Sequence, residues 1–182
     1  RRRHTRYPLV TGVQTCALPI YIRDFLPDTQ ILKYSDLNRY STLENLLPRV
    51  KSYFLILYLE SPNAGHWVLV SRPEQNQVEY FDSYGGYPDS PLLWTSPEKR
   101  EKLGTGEPYL SMLFRQYPGK VVFNKVKYQK QEPGISNCGR WCVLRALKMK
   151  AGMNLSQFHD YVKRESKKAD LPWDLWVTKL ID

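Results

Sequence analysis

The sequence predicts an α+β domain built on a central sheet, with helices packed against it. Three strand candidates follow one another closely in the first half of the chain, and segments with apolar residues at helical spacing dominate the second half. Groups of strands followed by groups of helices are typical of α+β domains. With 182 residues and 42% hydrophobic content, the chain can bury one core, and it contains no linker that would justify a second domain.

The first half contains the signals for one short helix and the three strands. Residues 41–44, Ser-Thr-Leu-Glu, have the capping-box pattern, which predicts a helix that ends near Pro48. Residues 53–59 are continuously apolar, as in a strand buried on both faces, whereas 66–71 and 77–81 are shorter and partly alternate. Polar turns separate the three segments, so we expect them to pair as adjacent antiparallel strands.

The second half is predicted to be helical around one further strand. Residues 121–128 alternate and are rich in β-formers, which predicts a strand that leads into the loop before Cys138. Residues 21–34 carry only a weak structural signal. The predicted helices occupy 91–103, 108–117, a segment from 138 onwards, a segment from 154 onwards, and 172–181.

Residues 1–20 resemble a translated sequencing adapter. Residues 1–6 and 10–20 back-translate without difficulty to a common library adapter, and residues 7–9 fall where such an adapter carries its variable index. We therefore expect this segment to be non-native and residues 21–182 to form a single domain. The alternative is a basic targeting arm, but the segment has neither a clean apolar region nor a cleavage site. Adapter-free reads that run continuously across the junction would contradict the adapter interpretation.

Without this segment, the charge and the cysteine count are both modest. The whole chain has 27 basic and 18 acidic residues, a net charge of +9; residues 1–20 carry four arginines and no acid, which leaves 23 and 18, or +5. Such an excess is compatible with nucleic acid nearby, but its usual meaning is solubility. No apolar run approaches the ~20 residues of a membrane-spanning helix. Only Cys138 and Cys142 remain after residue 20, which predicts a reducing, intracellular compartment and a free thiol.

Cys138 has the setting of a nucleophile. A loop with the turn residues Pro133 and Gly134 precedes it, and a helical pattern follows it. At a helix N-terminus, unpaired backbone N–H groups and the positive end of the helix dipole stabilise the thiolate. A nucleophilic thiolate also needs a base and an oxyanion donor, which must come from elsewhere in the chain.

His66 and Asp82 are the candidate base and orienting acid. His66 starts one strand directly after a turn, and Asp82 ends the next strand. If these strands pair, both side chains lie at the same edge of the sheet, where the carboxylate can hold the imidazole in the tautomer that accepts a proton from the thiol. Taken singly, each has an ordinary alternative role, as a half-buried strand-end histidine and as a turn-initiating aspartate.

Gln131 is the candidate oxyanion donor. It lies seven residues before Cys138, so its amide N–H can turn towards the oxyanion together with the Cys138 backbone N–H. One such donor contributes on the order of 3 kcal/mol in the transition state. Gln129 is a neighbouring competitor that spacing alone does not exclude. His159 is an alternative base, because papain-type enzymes place the cysteine before the histidine.

Four short motifs together resemble the adenain and SUMO-protease superfamily of cysteine peptidases: Gly65-His66-Trp67, Phe81-Asp82-Ser83, Gln131, and Cys138-Gly139. The match spans about residues 53–150. The resemblance implies a papain-like topology, with a central mixed sheet and the nucleophile at the N-terminus of a packed helix. It assigns these roles: His66 general base, Asp82 orienting acid, Gln131 oxyanion donor, Cys138 nucleophile, and Trp67 and Gly139 as substrate-binding residues.

The resemblance also implies an activity. The family cleaves peptide or isopeptide bonds through a thioester and needs no metal or cofactor. We therefore predict that residues 21–182 are a cysteine endopeptidase domain, a viral maturation protease that processes capsid or core precursors. Its expected location is the virion or the cytoplasm or nucleus of a host cell, with DNA or a peptide as candidate activator and no membrane partner. One departure is Arg140-Trp141, where the family usually has small or apolar residues.

Three alternatives remain open on sequence alone. The same superfamily includes isopeptidases that remove SUMO-like or ubiquitin-like modifiers from proteins. Bacterial acetyltransferase effectors use similar residues to transfer an acyl group from acetyl-CoA. A non-enzymatic domain could instead contact nucleic acid through the basic residues 163–168, although such a run is most often a solvated helix end.

Overall fold

A five-stranded mixed sheet forms the centre of the structure. The computed structural model describes residues 22, 24–61, 64–130, 132 and 134–181; the segment 1–20 and Gln131, both singled out above, lie outside these ranges. The strands lie side by side in chain order: β1 (Gln30–Lys33), β2 (Tyr53–Ser61), β3 (Ala64–Glu74), β4 (Gln77–Asp82) and β5 (Lys120–Phe123). The two outer pairs, β1–β2 and β4–β5, are parallel, and the two inner pairs are antiparallel. The α+β prediction and the antiparallel central strands are confirmed.

Helices cover both faces of this sheet. In the described ranges they are α1 (Leu43–Leu46), α2 (Pro97–Leu103), α3 (Tyr109–Gln116), α4 (Cys138–Lys150), α5 (Leu155–Lys168) and α6 (Trp173–Leu180), with 3-10 helices at Tyr34–Arg39 and Ser90–Trp94. One core contains residues of α4, α5 and α6 and one face of the sheet; the other contains residues of α1, α3 and both 3-10 helices and the opposite face. None of the described helices is both long enough and apolar enough to span a bilayer.

The β2 strand is buried on both faces, as its continuous apolar run predicts. Leu55 and Leu57 face the core of α4 to α6, while the alternate residues Ile56 and Tyr58 face the other core. All four side chains are buried. This strand therefore joins the two layers, and it fixes the face on which α4 packs.

Two predicted elements are shorter than their sequence patterns indicate. The strand predicted over 121–128 ends at Phe123, because the side chain of Asn124 bonds to the backbone of Val126 in both directions and donates to the carbonyl of Asp82. Those bonds replace the ladder of a longer strand. The helix predicted over 91–103 is divided at Thr95 into a 3-10 helix and α2, whose first turn is capped by the hydroxyl of Ser96.

Strand β1 has only a weak signal in the sequence. This strand lies within the weakly patterned residues 21–34 and pairs in parallel with β2, from Gln30 opposite Phe54 to Lys33 opposite Leu57. The short helix predicted after residue 41 does form, but its cap is Thr42, which accepts from the backbone of Asn45. A strand of four residues is decided by its neighbour in the sheet, since its own sequence has too few positions to show a period.

Gly65 is the position at which a side chain is least tolerated near the start of β3. A Cβ atom there would overlap the carbonyl oxygen of Tyr58 on the neighbouring strand. We expect Gly65→Ala to lower the free energy of unfolding by roughly 1–3 kcal/mol, because the strand must shift to admit the methyl group. Urea denaturation measures this loss. Gly106→Ala is the matched control, since its nearest contact is the mobile end of Glu101 at 3.4 Å; an equal loss in both variants would contradict the overlap.

Candidate active site

Cys138 is the first residue of α4, and it faces the sheet. Asn137 precedes the helix, and the Cys138 side chain belongs to the core beneath β3 with only 4% of the residue exposed. The first N–H groups of a helix have no partner within the helix. The predicted setting of this cysteine, a helix N-terminus after a turn-rich loop, is therefore present.

His66 and Asp82 meet at one end of the sheet. The β3–β4 register places Val68 opposite Asp82, so His66, two residues earlier on β3, lies diagonally across from the aspartate on the same face. The His66 Nε2 atom lies 2.8 Å from Asp82 Oδ1, and both residues are buried. Asp82 Oδ1 also accepts from the backbone N–H of Tyr84, at 2.9 Å. These two hydrogen bonds hold the Asp82 carboxylate in place, and the carboxylate in turn fixes the orientation of the His66 ring.

The other carboxylate oxygen of Asp82 has no hydrogen-bond partner among the described residues. It faces Gly86, where an added Cβ atom would lie 2.6 Å from Oδ2 and 2.7 Å from the hydroxyl of Ser90. The loop after β4 therefore passes close to the carboxylate. A side chain at Gly86 would push this loop and the aspartate apart.

His66 is held as a cation by its two neighbours. Burial lowers its pKa, but hydrogen bonds to Asp82 and to Cys138, together with the negative charges of both, outweigh this and raise the pKa of His66 from 6.5 to about 10. Since Nε2 is bonded to Asp82, Nδ1 is the ring nitrogen left for the Cys138 sulfur. The arrangement is that of an imidazole placed between a thiol and a carboxylate, with the carboxylate orienting the ring.

We expect the ring of His66 to remain protonated at pH 8. Because its pKa is raised by folding, the stability that its charge contributes is full below about pH 6.5 and is lost as the pH rises towards about 10. NMR of the imidazole Cε1–H against pH measures the titration. Burial lowers the pKa of His159, so that ring should titrate below 6.5 in the same spectra and serves as the internal control. A His66 midpoint near 6.5 in the native protein would contradict the expected rise in pKa caused by Asp82 and Cys138.

Comparison with known proteins finds a viral relative. No family model matches the chain. The uncharacterized protein V9 of Sputnik virophage is 38% identical over 133 residues, which make up 73% of this chain and 74% of V9. The chain belongs to the V9 family.

A solved structure, the ASFV pS273R protease, is a more distant match to this V9-family chain. It aligns over 81% of the chain with a TM-score of 0.42 and 12% identity. The chain spans 62% of that protease, which is less than two thirds of its length. A likeness at this level assigns neither fold nor activity.

Aromatic rings cover His66 on the outer side of the V9-family site. The ring of Tyr84 stacks on the imidazole, with centroids 4.9 Å apart and planes at 19°, and Trp94 meets the imidazole edge-on at 5.1 Å. Trp94 is 42% exposed, whereas His66 is 2% exposed. Neither ring was predicted from the sequence, since Tyr84 directly follows the turn at Asp82 and Trp94 falls within the helix predicted over 91–103. A run of aromatic residues and glycines directly after a candidate acid was the available signal.

Gln129, the competitor of Gln131, is engaged in the loop before Cys138. Its Oε1 accepts from the hydroxyl of Ser83 at 3.1 Å, and its Nε2 donates to Tyr84 Oη at 3.1 Å and to the carbonyl of Ile135 at 3.2 Å. All these groups belong to the loops around the site, so the hydrogen bonds of Gln129 link these loops to one another. Gln131 as oxyanion donor stays a prediction.

A second set of hydrogen bonds holds Asn137, the residue before Cys138. Asn137 Nδ2 donates to the carboxylate of Asp174 at 3.1 Å and to its carbonyl at 3.2 Å. The same carboxylate accepts from the backbone N–H of Lys130 at 3.3 Å. Asp174 lies in the first turn of α6, so the start of α6 fixes the loop that leads into Cys138.

The remaining predicted site residues are buried around Cys138. Trp67 is 3% exposed and packs in the same core as Cys138, and Gly139 is the buried second residue of α4. Trp67 thus supports the site by packing in the core next to it. Contact of Trp67 or Gly139 with substrate stays a prediction. Cys142 is a core residue whose thiol donates to the Trp67 carbonyl at 3.4 Å, and burial raises the pKa of this thiol well above its usual value.

Arg140 and Trp141, which depart from the resembled family, both find partners in α6 or beyond it. Arg140 Nε donates to the carbonyl of Ile181 at 2.9 Å. Trp141 is fully buried, with its ring 5.1 Å from Tyr128 and 6.2 Å from Trp176. These two residues therefore fasten the C-terminal helix to the start of α4.

His159, the alternative base, belongs to a different part of the fold. It lies on α5, and its ring meets Tyr128 at 5.9 Å and Trp173 at 5.8 Å. The pKa of Tyr128 is raised, mainly by burial, and the groups that shift the pKa of His66 do not include His159. Within the described ranges, no three His, Cys, Asp or Glu side chains are grouped as metal ligands.

Proposed function

We propose that this chain is a cysteine endopeptidase in which Cys138 is the nucleophile, His66 the general base and acid, and Asp82 the group that orients His66. The observation that carries the proposal is one buried imidazole placed next to both partners. Its Nε2 lies 2.8 Å from Asp82 Oδ1, and Cys138, at the start of α4, is among the neighbours that raise the pKa of His66. A nucleophile, a base within reach and a third group behind the base are the signature of covalent catalysis.

Acylation follows from the charges of the pair. The Cys138 thiolate attacks the carbonyl carbon of the scissile peptide bond, and a C–S bond forms as the carbonyl electrons move to oxygen. When the tetrahedral intermediate collapses, the C–N bond breaks and His66 Nδ1–H gives its proton to the departing amine. The products of this step are a free amine and a thioester on Cys138.

Deacylation uses the same ring in the opposite sense. His66, now neutral, takes a proton from a water molecule, whose oxygen attacks the thioester carbonyl. The C–S bond breaks, the carboxylic acid leaves, and the thiolate and imidazolium are restored. Asp82 keeps Nδ1 directed at the reacting atoms throughout, because its Oδ1 holds Nε2.

The oxyanion would be stabilised at the start of α4. The backbone N–H of Cys138 is one of the unpartnered amides of the first helical turn, and the dipole of this 13-residue helix adds positive potential there. Gln131 would supply the second donor, in line with its spacing before Cys138. Each donor is expected to contribute on the order of 3 kcal/mol.

The proposed biological setting is viral maturation. The relative V9 comes from a virophage. A compact viral protease of the adenain and SUMO-protease type, acting on a capsid or core precursor, fits the four sequence motifs and this relative together. Residues 21–182 would form its catalytic domain.

Mass spectrometry after labelling with a cysteine-directed peptide electrophile tests the proposal. The full chain with Cys16→Ser, incubated with a short peptide vinyl sulfone, should gain the mass of one probe. Cys138→Ala in the same background should gain none. Cys142→Ala is the matched control, since it removes the neighbouring thiol of the same helix and should still be labelled.

The same experiment separates the substrate classes. A probe that carries a ubiquitin-like modifier is compared with the peptide probe at equal concentration. Faster labelling by the modifier probe would favour a deconjugating isopeptidase over an endopeptidase. Equal labelling of the Cys138→Ala and Cys142→Ala variants would remove the catalytic assignment altogether.

A further inference from the structure

A groove of about 570 Å³ opens beside the candidate active site, between the loop after β5 and the start of α6. Its volume is within the usual range for ligand-binding clefts. Its walls are formed mainly by Tyr84, Lys127, Tyr128, Gln129, Trp173 and Asp174. The groove was not foreseen from the sequence, because its walls come from three distant segments.

The walls of the groove are connected directly to the reacting residues. Tyr84 stacks on the ring of His66, and the charge of Cys138 is among the causes that raise the pKa of Tyr84. On the opposite wall, Asp174 binds Asn137, the residue before Cys138. A polypeptide whose carbonyl reaches Cys138 would therefore continue into this groove.

Two aromatic rings make one part of the groove apolar. Trp173 is half-buried and lies 5.6 Å from the ring of Tyr128, with their planes at 33°. Tyr128 is itself 2% exposed, so Trp173 is the ring that a ligand can cover. A large apolar side chain packed on Trp173 would bury apolar surface, and no charged group would have to lose its water.

Within the described residues, the hydroxyl of Tyr84 has no acceptor for its proton. Its oxygen accepts from Gln129 Nε2 at 3.1 Å, and no atom of the described residues accepts its proton. Burial, chiefly, raises the pKa of Tyr84 to about 12, so the hydroxyl keeps this proton at neutral pH. An extended peptide offers backbone carbonyl groups as acceptors along its whole length.

Asp174 does not require a charged ligand, because both of its carboxylate oxygens accept hydrogen bonds within the protein. One of its oxygens accepts from Asn137 and the other from the backbone of Lys130. At the rim, Lys130 and Glu132 form an exposed pair, with Nζ and Oε1 3.9 Å apart. The groove is lined by two basic side chains, Lys127 and Lys130, and two acidic ones, Glu132 and Asp174. These charges sum to zero, which favours a neutral peptide segment over an acidic or basic ligand.

We propose that this groove binds the substrate segment next to the scissile bond, with a large apolar or aromatic side chain on Trp173 and a backbone carbonyl accepting from the Tyr84 hydroxyl. The inference rests on the proposed peptidase function and adds a substrate preference to it. Tyr84 and Trp173 are then residues that determine specificity, and neither takes part in proton transfer.

Inactivation rates with a set of peptide vinyl sulfones test this proposal on the full chain with Cys16→Ser. Each probe is an acetylated tetrapeptide in which one position at a time is Phe, Ala or Asp. At one position, we expect Phe to react about tenfold or more faster than Asp, from burial of the ring. Trp173→Ala should abolish this preference. Leu175→Ala, an exposed residue of the same helix that is not part of the groove wall, should keep it.

Tyr84→Phe tests the hydroxyl separately, because it keeps the ring that stacks on His66. Its peptide rate is divided by its rate with iodoacetamide, which needs the thiolate but not the groove. This ratio should fall roughly 3- to 10-fold, the effect of losing one hydrogen bond to the substrate. Tyr87→Phe removes an exposed hydroxyl from the same loop and should leave the ratio unchanged.

Two outcomes distinguish failure of the groove from failure of the peptidase. If iodoacetamide modifies Cys138 but Trp173→Ala and Tyr84→Phe keep the wild-type ratio for every probe, the groove does not bind substrate. If Cys138 is not modified, the peptidase proposal fails. In that case, fluorescence polarisation of the same peptides without the electrophile, with and without Trp173→Ala in a Cys138→Ala chain, still decides whether the groove binds them.

Discussion

Replacing His66 by alanine is expected to lower the rate of Cys138 acylation by roughly 10³-fold, because in the proposed mechanism one ring supplies both the charge that holds the thiolate and the proton for the leaving amine. The ring is bonded to Asp82, and Cys138 is among the groups that raise its pKa. Stopped-flow or quench-flow kinetics with a fluorogenic peptide, fitted to kcat/KM, measure the loss. The fold of the variant is checked by circular dichroism.

His159→Gln is the control for this prediction. His159 is the other histidine of the described chain, but its contacts are the rings of Tyr128 and Trp173. Its variant should retain the wild-type kcat/KM. A thousandfold loss in His159→Gln with little loss in His66→Ala would transfer the role of base to His159.

Replacing Glu79 by leucine is expected to lower the free energy of unfolding by about 3–5 kcal/mol, because it leaves Arg145 buried without its counter-charge. Both side chains are almost fully buried, and the guanidinium binds both carboxylate oxygens at 2.6 Å. Glu79 lies on β4, the strand that ends in Asp82, and Arg145 lies on α4, which begins at Cys138. The pair therefore holds α4 on β4, with Cys138 at the start of the helix and Asp82 at the end of the strand.

A double variant tests whether the lost stability comes from the unpaired charge of Arg145. Glu79→Leu with Arg145→Met removes both charges, and it should recover most of the stability in urea denaturation. Some loss should remain, since Arg145 also donates to the carbonyl of Met153 at 2.9 Å and lies over the ring of Phe158. Glu165→Gln, in an exposed pair with Lys168, should leave the urea midpoint unchanged. If the double variant is no more stable than Glu79→Leu, the unpaired charge is not the cause.

The placement of His66, Asp82 and Cys138 could be predicted because each residue carries a local signal. His66 and Asp82 lie at the ends of strands joined by a short turn, and hairpin pairing brings such ends together whatever the rest of the fold. Cys138 follows turn residues and opens a helix, which the local pattern also indicates. Short-range signals of this kind need no knowledge of distant contacts.

The surroundings of the site could not be predicted in this way. Tyr84, Trp94 and Trp173 have no local signature that distinguishes them from other aromatic residues, and their roles depend on which segments meet at the edge of the sheet. Asn124 likewise ends β5 through a bond to Asp82, which is 42 residues away in the chain. Side-chain bonds to distant backbone are set by the packed structure.

By itself, the sequence determined the α+β character, the antiparallel central strands and the order of His66, Asp82 and Cys138, because periodicity and turn chemistry act over a few residues. Only the tertiary structure decided that His66 is buried between Asp82 and Cys138, that Glu79 and Arg145 hold α4 on β4, and that a groove runs past Tyr84 to Trp173. These features join residues far apart in the chain, and their geometry exists only once the two cores have packed on the sheet.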